Sequence, residues 1–225
     1  MKSRRAKWIP DEWTFRSKAV ADEFERHVRE QLPWYEIATS AVVHFARHYI
    51  PSGGNVYDIG ASTGNIGRAI EPILKQRAAR FTAIEESAEM AARYRGPATL
   101  EIKNALDFSF ERFDFAVLFL VLMFLPIGKR GDFMWKLGTL LKPGGAILVV
   151  DKIDTPDGYF GTVLRRLAIQ WKINNEIPPD EIIAKELSLA GYQRPINPTV
   201  LFPTARQFFQ FGEFGGWIIE AEGRE

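Results

Sequence analysis

The sequence has no cysteine. That excludes a disulfide framework, a thiolate-ligated zinc site and any cysteine nucleophile, so cysteine hydrolysis and cytosine-C5 methylation are both ruled out. Charge of one sign is also lacking: 29 Lys+Arg stand against 28 Asp+Glu, a net charge of +1. Such a balance argues against binding that rests on phosphate neutralisation alone, and no strong nucleic-acid signal is present. Long hydrophobic runs are missing too. The longest, Phe115 to Leu125, falls short of the about 20 residues of a membrane span. The basic start Met1-Lys2-Ser3-Arg4-Arg5 leads into Trp8-Ile9-Pro10-Asp11-Glu12 rather than an apolar stretch, so no secretory leader is expected. The expected compartment is the cytosol. What remains is ordinary for a globular chain: 225 residues, 46% apolar and 25% charged, enough for one large domain with an appendage.

The first fifty residues predict two helices. Val20, Phe24, Val28 and Leu32 form one apolar stripe, ended by Pro33; Ile37, Ala41, Phe45 and Tyr49 form another, ended at Pro51-Ser52-Gly53-Gly54. Lys2, Arg4, Arg5 and Lys7 read as a solvated basic tip. His44 and His48 sit one turn apart but lack the glutamate of a zinc helix and a third ligand, so no metal site is expected. From Asn55 strands alternate with helices. Strands are predicted at Val56–Ile59, Arg80–Ile84, Phe113–Leu120 and Ala146–Val150, with two more near Thr199 and at Gly216–Ala221. Helices are predicted near Asp157–Lys172 and Pro179–Ala190, and Pro72 predicts a bend or early end in the helix after the first strand. The pattern describes an α/β, doubly wound sheet (residues 51–225) with an N-terminal helical lid (residues 1–50).

The first strand runs into Asp58-Ile59-Gly60-Ala61-Ser62-Thr63-Gly64-Asn65-Ile66-Gly67. Such a turn delivers a ligand to the carboxyl end of the sheet and to a helix N-terminus. In a dinucleotide fold the second glycine of G-x-G-x-x-G lets the backbone touch a pyrophosphate. Here that place is taken by Ser62, which obstructs a pyrophosphate but not a ligand presenting a carboxylate and a nucleoside, such as S-adenosylmethionine. Glu85, right after the second strand, can accept both ribose hydroxyl protons. Asn104 and Ala105 offer an amide side chain and a backbone N–H to an adenine edge.

Together with Ile84-Glu85-Glu86-Ser87-Ala88-Glu89-Met90 and Leu141-Lys142-Pro143-Gly144-Gly145, this loop resembles the motifs of class I S-adenosylmethionine-dependent methyltransferases, in their usual order across residues 55–221. The resemblance implies a Rossmann-like seven-stranded sheet of order 3-2-1-4-5-7-6 with the last strand antiparallel. It also implies a cofactor site along Asp58 to Gly64, with Gly60, Ala61 and Ser62 cradling the methionine part, Glu85 the ribose, and Glu86, Asn104 and Ala105 around the adenine.

Outside that core, Glu12-Trp13-Thr14-Phe15, Leu32-Pro33-Trp34-Tyr35 and, weakly, Phe208-Phe209-Gln210-Phe211-Gly212 resemble carboxy-S-adenosylmethionine synthases. Those enzymes add the carbon dioxide lost from prephenate to the cofactor's methyl group. The resemblance implies that Tyr35 faces the cofactor. Two positions depart from it. Phe119 stands where that family has a cofactor-facing asparagine, and a shortened stretch after Trp171 omits the arginine that clamps the added carboxylate. Arg165 or Arg166 is the candidate replacement, beside the plainer reading of arginines on a helix surface.

Methyl transfer needs collinear nucleophile, methyl carbon and sulfur, and a wall that excludes water and tolerates a sulfonium. Trp13, Phe15, Trp34, Tyr35 and Phe119 are candidates for that wall, each equally readable as core packing. Asp151, after the fourth strand, is the best-placed candidate base, and equally readable as a cap. No Asp- or Asn-Pro-Pro-aromatic segment follows the strand ending at Phe119-Leu120, which argues against amino-group methylation of a flipped base. The expected function is methyl transfer from S-adenosylmethionine to a small molecule or modified nucleotide; the alternatives are a carboxy-S-adenosylmethionine synthase-like transferase and a non-catalytic cofactor-binding module. A homodimer is compatible with either.

Overall fold

The computed structural model describes residues 8–97, 99–155 and 157–221; the basic tip Lys2, Arg4, Arg5 and Lys7 lies outside the described residues. The chain enters through α1 (Lys18–Gln31), whose N-cap hydroxyl, Ser17 Oγ, accepts from the Val20 N–H. Next comes α2 (Tyr35–Tyr49). Its buried line is Ala38, Val42 and Ala46, all 0% exposed, whereas Ile37 of the expected stripe is 64% exposed. Ala41, Phe45 and Tyr49 are half-buried beside that line. Small alanines at 38 and 46 let the helix lie close on the strands, which rotates the apolar stripe by one residue.

The remaining elements are β1 (Asn55–Ile59), α3 (Asn65–Gln76), β2 (Arg80–Glu85), α4 (Ala88–Ala91), β3 (Thr99–Ile102), β4 (Phe113–Phe119), α5 (Ile127–Leu140), β5 (Leu141–Lys152), α6 (Tyr159–Asn174), α7 (Pro179–Leu189), α8 (Pro198–Leu201), β6 (Arg206–Phe211) and β7 (Phe214–Glu220). The strands form one seven-stranded sheet in the order β3-β2-β1-β4-β5-β7-β6, with β7 antiparallel to both its neighbours. This is the expected Rossmann-like order.

The continuous apolar run in β4 conceals a period of two. Phe115, Val117 and Phe119 face the layer holding α2 and α3, with Leu148 and Val150 of β5. Ala116 and Leu118 face the layer holding α5, with Ile147 and Val149. Both faces are covered, as central parallel strands require. Ala38, Val42 and Ala46 share one core with Val56, Phe115 and Leu148, so α2 is a layer of the main domain. Val28 of α1 and Trp34 join that core as well, whereas Trp13 and Val20 pack with Leu189 in a separate cluster.

Three expectations are corrected. The strand β3 carries no run of branched residues and was not expected at Thr99–Ile102; it pairs only with β2, at the sheet edge. The strand expected near Thr199 is the helical turn α8: Pro198 sits at its first position and Asn197 Oδ1 accepts from the Val200 N–H. The sixth strand lies later, at Arg206–Phe211. Finally, the early end at Pro72 does not occur: α3 continues to Gln76. Among the described residues no helix is long and apolar enough to cross a membrane.

Candidate active site

The loop between β1 and α3 needs its glycines for backbone reasons. Gly60 has φ +74° and a Cβ there would meet Val121 Cγ2 at 2.6 Å; Gly64, the N-cap of α3, has φ +90° and a Cβ would meet Gly96 N at 2.7 Å. Ser62 also takes a positive φ, 52°, and its buried hydroxyl has no hydrogen-bond partner. The Gly60 and Ala61 amides both donate to Ile84 O, at 2.8 and 2.9 Å, which ties the loop to the end of β2.

At that end stands Glu85. Its Oε2 accepts from Ser62 N and its Oε1 from Ser87 N, each at 2.8 Å, so one carboxylate bridges two loops. Each oxygen keeps capacity for another donor. Burial pushes the Glu85 pKa up, against the pull of those amides. Asp58, 2% exposed, keeps Oδ2 unpartnered. Burial, then the Glu85 charge, pushes its pKa up to about 7. Glu86 accepts from Arg16 Nη2 at 2.7 Å and from Asn104 Nδ2 at 3.1 Å, while Asn104 Oδ1 accepts from Leu106 N.

These groups line one cavity of about 800 Å³. Of the residues expected at a site, Asp58, Gly60, Ala61, Ser62, Glu85, Glu86, Asn104, Ala105, Phe119, Tyr35, Trp13 and Arg165 all line it. Gly64 does not; it holds the turn into α3. Three expected aromatics close the wall: the Phe119 ring lies 6.3 Å from Trp34 and 5.2 Å from Tyr35. Arg165 is exposed at the cavity's rim and donates to Thr155 Oγ1.

Asp151 is the clear departure. It is 0% exposed and does not line the cavity. Its Oδ2 accepts from Leu122 N at 2.7 Å and lies within reach of the Val121 and Met123 amides, and its Oδ1 accepts from Lys152 N. The carboxylate thus fastens the turn after β4, where Leu120 is held at φ 61°. It caps the turn at residues 121–123 rather than the segment that follows it in sequence, and it is buried away from the cavity.

The chain before α1 straps the cavity. Trp13 N donates to Ser188 O at the end of α7, Ser87 Oγ donates to Phe15 O, and Arg16 pairs with Glu86. The opposite wall comes from α6, α7 and the β6–β7 turn, and sequence reasoning missed it. Lys152 pairs with Glu213 and Gln193, Lys172 pairs with Glu186, and Lys185 stands over the Trp13 ring. No motif marks these lysines, because they converge only through the fold. Among the described residues there is no cluster of His, Asp or Glu able to hold a metal.

Comparison with known proteins gives the following. Residues 57–149 match the family model described as a methyltransferase domain. Over 193 residues the chain is 29% identical to the carboxy-S-adenosyl-L-methionine synthase of Staphylococcus epidermidis, covering 84% of each. Over 231 residues it is 26% identical to the synthase of the same name from Klebsiella pneumoniae, covering 95% of this chain and 93% of that one. Among solved structures, human N-acetylserotonin methyltransferase in complex with S-adenosylmethionine superposes with a TM-score of 0.58 at 15% identity, over 98% of this chain and 63% of that one. That last likeness is one of fold.

Proposed function

We propose that this chain, which has the Rossmann-like seven-stranded order and matches a methyltransferase domain over residues 57–149, is a transferase that binds S-adenosylmethionine along residues 58–64 and 84–86 and passes the methyl group to a small molecule or modified nucleotide. The observation that carries this reading is the Glu85 carboxylate, lining the cavity at the end of β2 with spare acceptor capacity on both oxygens. Two more acceptors, Asp58 Oδ2 and Ser62 Oγ, are buried beside it without partners. That set suits a ligand rich in hydroxyl and ammonium donors, so the residues fit the cofactor. Glu85 would take the ribose hydroxyls, the 60–62 backbone the methionine part, and Asn104 and Ala105 the adenine edge.

When bound, the cofactor supplies an electrophilic methyl on a sulfonium. Tyr35, Trp34 and Phe119 then exclude water and present aromatic surface to positive charge. The strap at Trp13 to Arg16 covers the same space. Rate enhancement comes from positioning, which supplies up to about 7–11 kcal/mol in well-oriented systems. Burial of Asp151 removes the expected side-chain base, so the reading requires an acceptor that is nucleophilic without one, or that loses its proton to water.

Calorimetry with S-adenosylmethionine tests the proposal. Glu85→Ala is expected to weaken binding by about 1.5–3 kcal/mol; unchanged affinity would remove the ribose assignment. A second reading, carboxy-S-adenosylmethionine synthesis, is favoured by the two synthase relatives, matched over 84% and 95% of this chain. Phe119 stands against it, since a phenyl ring packed on Tyr35 offers no amide hydrogen bonds. Incubation with prephenate and cofactor, followed by mass spectrometry, separates the two by the added carboxyl group.

A further inference from the structure

Lys185 is the unused group in this cavity. It lies on α7, is 8% exposed, and lines the cavity over the Trp13 ring. It has no hydrogen-bond or ion-pair partner among the described residues. The other two lysines of this wall are matched: Lys172 with Glu186 at 3.0 Å and Lys152 with Glu213 at 3.6 Å. Glu181, one turn back on α7, lies 3.9 Å from a His27 that burial keeps neutral; it and Glu186 attract Lys185 along the helix, but neither comes within ion-pair distance of it.

The unpartnered buried atoms of the lining residues Trp13, His27 and Gln31 include two donors, Trp13 Nε1 and Gln31 Nε2. The Trp13 indole N–H has no acceptor, and neither end of the Gln31 amide is engaged. Both residues line the same cavity, Gln31 at 8% exposure. An indole N–H donates only, and a lysine never accepts while protonated. Burying such groups unpaired is costly, and an anion relieves the lysine, the indole N–H and the Gln31 Nε2 together. One unmatched lysine calls for one negative charge, which suits a carboxylate better than a dianionic phosphate. Aromatic residues in the cavity lining, Phe15, Phe119 and Trp171 among them, suit an organic acid with a flat apolar body.

We propose that the methyl acceptor carries a carboxylate, held by Lys185 with the Trp13 indole N–H and the Gln31 amide as further donors. This inference rests on the transferase reading, for it names the substrate class of the same cavity. Burial, then the Lys172 charge, holds the Lys185 amine well below its ordinary pKa against the pull of Glu186 and Glu181; an anion supplies the contacting partner it lacks.

The test uses phenylacetate and phenylacetamide as a pair differing chiefly in charge, titrated into the full chain with S-adenosylhomocysteine present and absent. The expected result is phenylacetate binding at least about tenfold tighter, the scale of a charged hydrogen bond. Lys185→Met should abolish that preference while leaving S-adenosylhomocysteine affinity within about twofold, and Gln31→Leu should reduce it if the Met variant fails to fold. Equal affinities, a preference that survives both variants, or no binding of either probe at millimolar concentration would overturn the carboxylate subsite. Loss of S-adenosylhomocysteine binding by the wild type, with the carboxylate preference intact, would instead overturn the transferase reading.

Discussion

Two buried aspartates of similar position in sequence motifs have opposite situations. Asp151 sits among backbone amides, while Asp58 sits beside Glu85 with an oxygen unpartnered. Asp151→Ala strands the turn amides at 121–123 and should destabilise the fold by about 2–4 kcal/mol, read from denaturant midpoints. Loss of activity without loss of stability would return Asp151 to the reaction. Asp58 has a folded-state pKa of about 7 against an ordinary 3.8. Its raised pKa means the folded state holds the proton more tightly. The stability it contributes is therefore full below about pH 4 and is lost as pH rises through 7. Asp58→Asn removes that titration, so the variant should gain stability relative to wild type between pH 4.5 and 8. A constant difference across that range would show the carboxylate to be ionised in the fold throughout.

At the scale of elements, α3 carries an exposed proline in its interior. Pro72 removes one helical hydrogen bond and packs little, so Pro72→Ala should raise the unfolding midpoint by the equivalent of about 1–2 kcal/mol. An unchanged or lower midpoint would mean the ring's constraint on the unfolded chain outweighs the lost bond. The same helix shows what sequence can convey. The loop Gly60 to Gly64 and Glu85 were legible because backbone geometry fixes their residue types and spacing. The central strands were legible because burial on both faces demands an unbroken apolar run. The edge strand β3 was not, since Thr99-Leu100-Glu101-Ile102 buries no residue fully and has only one neighbour. Asn197-Pro198 reads as a turn as easily as a helix start, which misplaced the sixth strand. The α7 wall was invisible for a different reason. Lys185 looks like any surface lysine until tertiary packing buries it against Trp13.

For the whole molecule, closure rests on the strap before α1, joined to α7 through Trp13 and to the 85–87 loop through Phe15 and Arg16. The Arg16 side chain is 69% exposed, and its ion pair with Glu86 is worth little by itself. Cofactor bound beneath should hold the strap down, so tryptic cleavage after Arg16 is expected to slow when S-adenosylmethionine is added. Equal cleavage rates would place the strap outside the binding event. Of the 6 tryptophans in the chain, Trp13, Trp34 and Trp171 line the cavity, and Trp171 lies flat against Phe211 at 3.8 Å. Trp135, 73% exposed, contributes a constant background. The molecule thus contains its own optical gauge: intrinsic emission should change in wavelength and intensity as the chamber fills, and candidate acceptors can be ranked without a label.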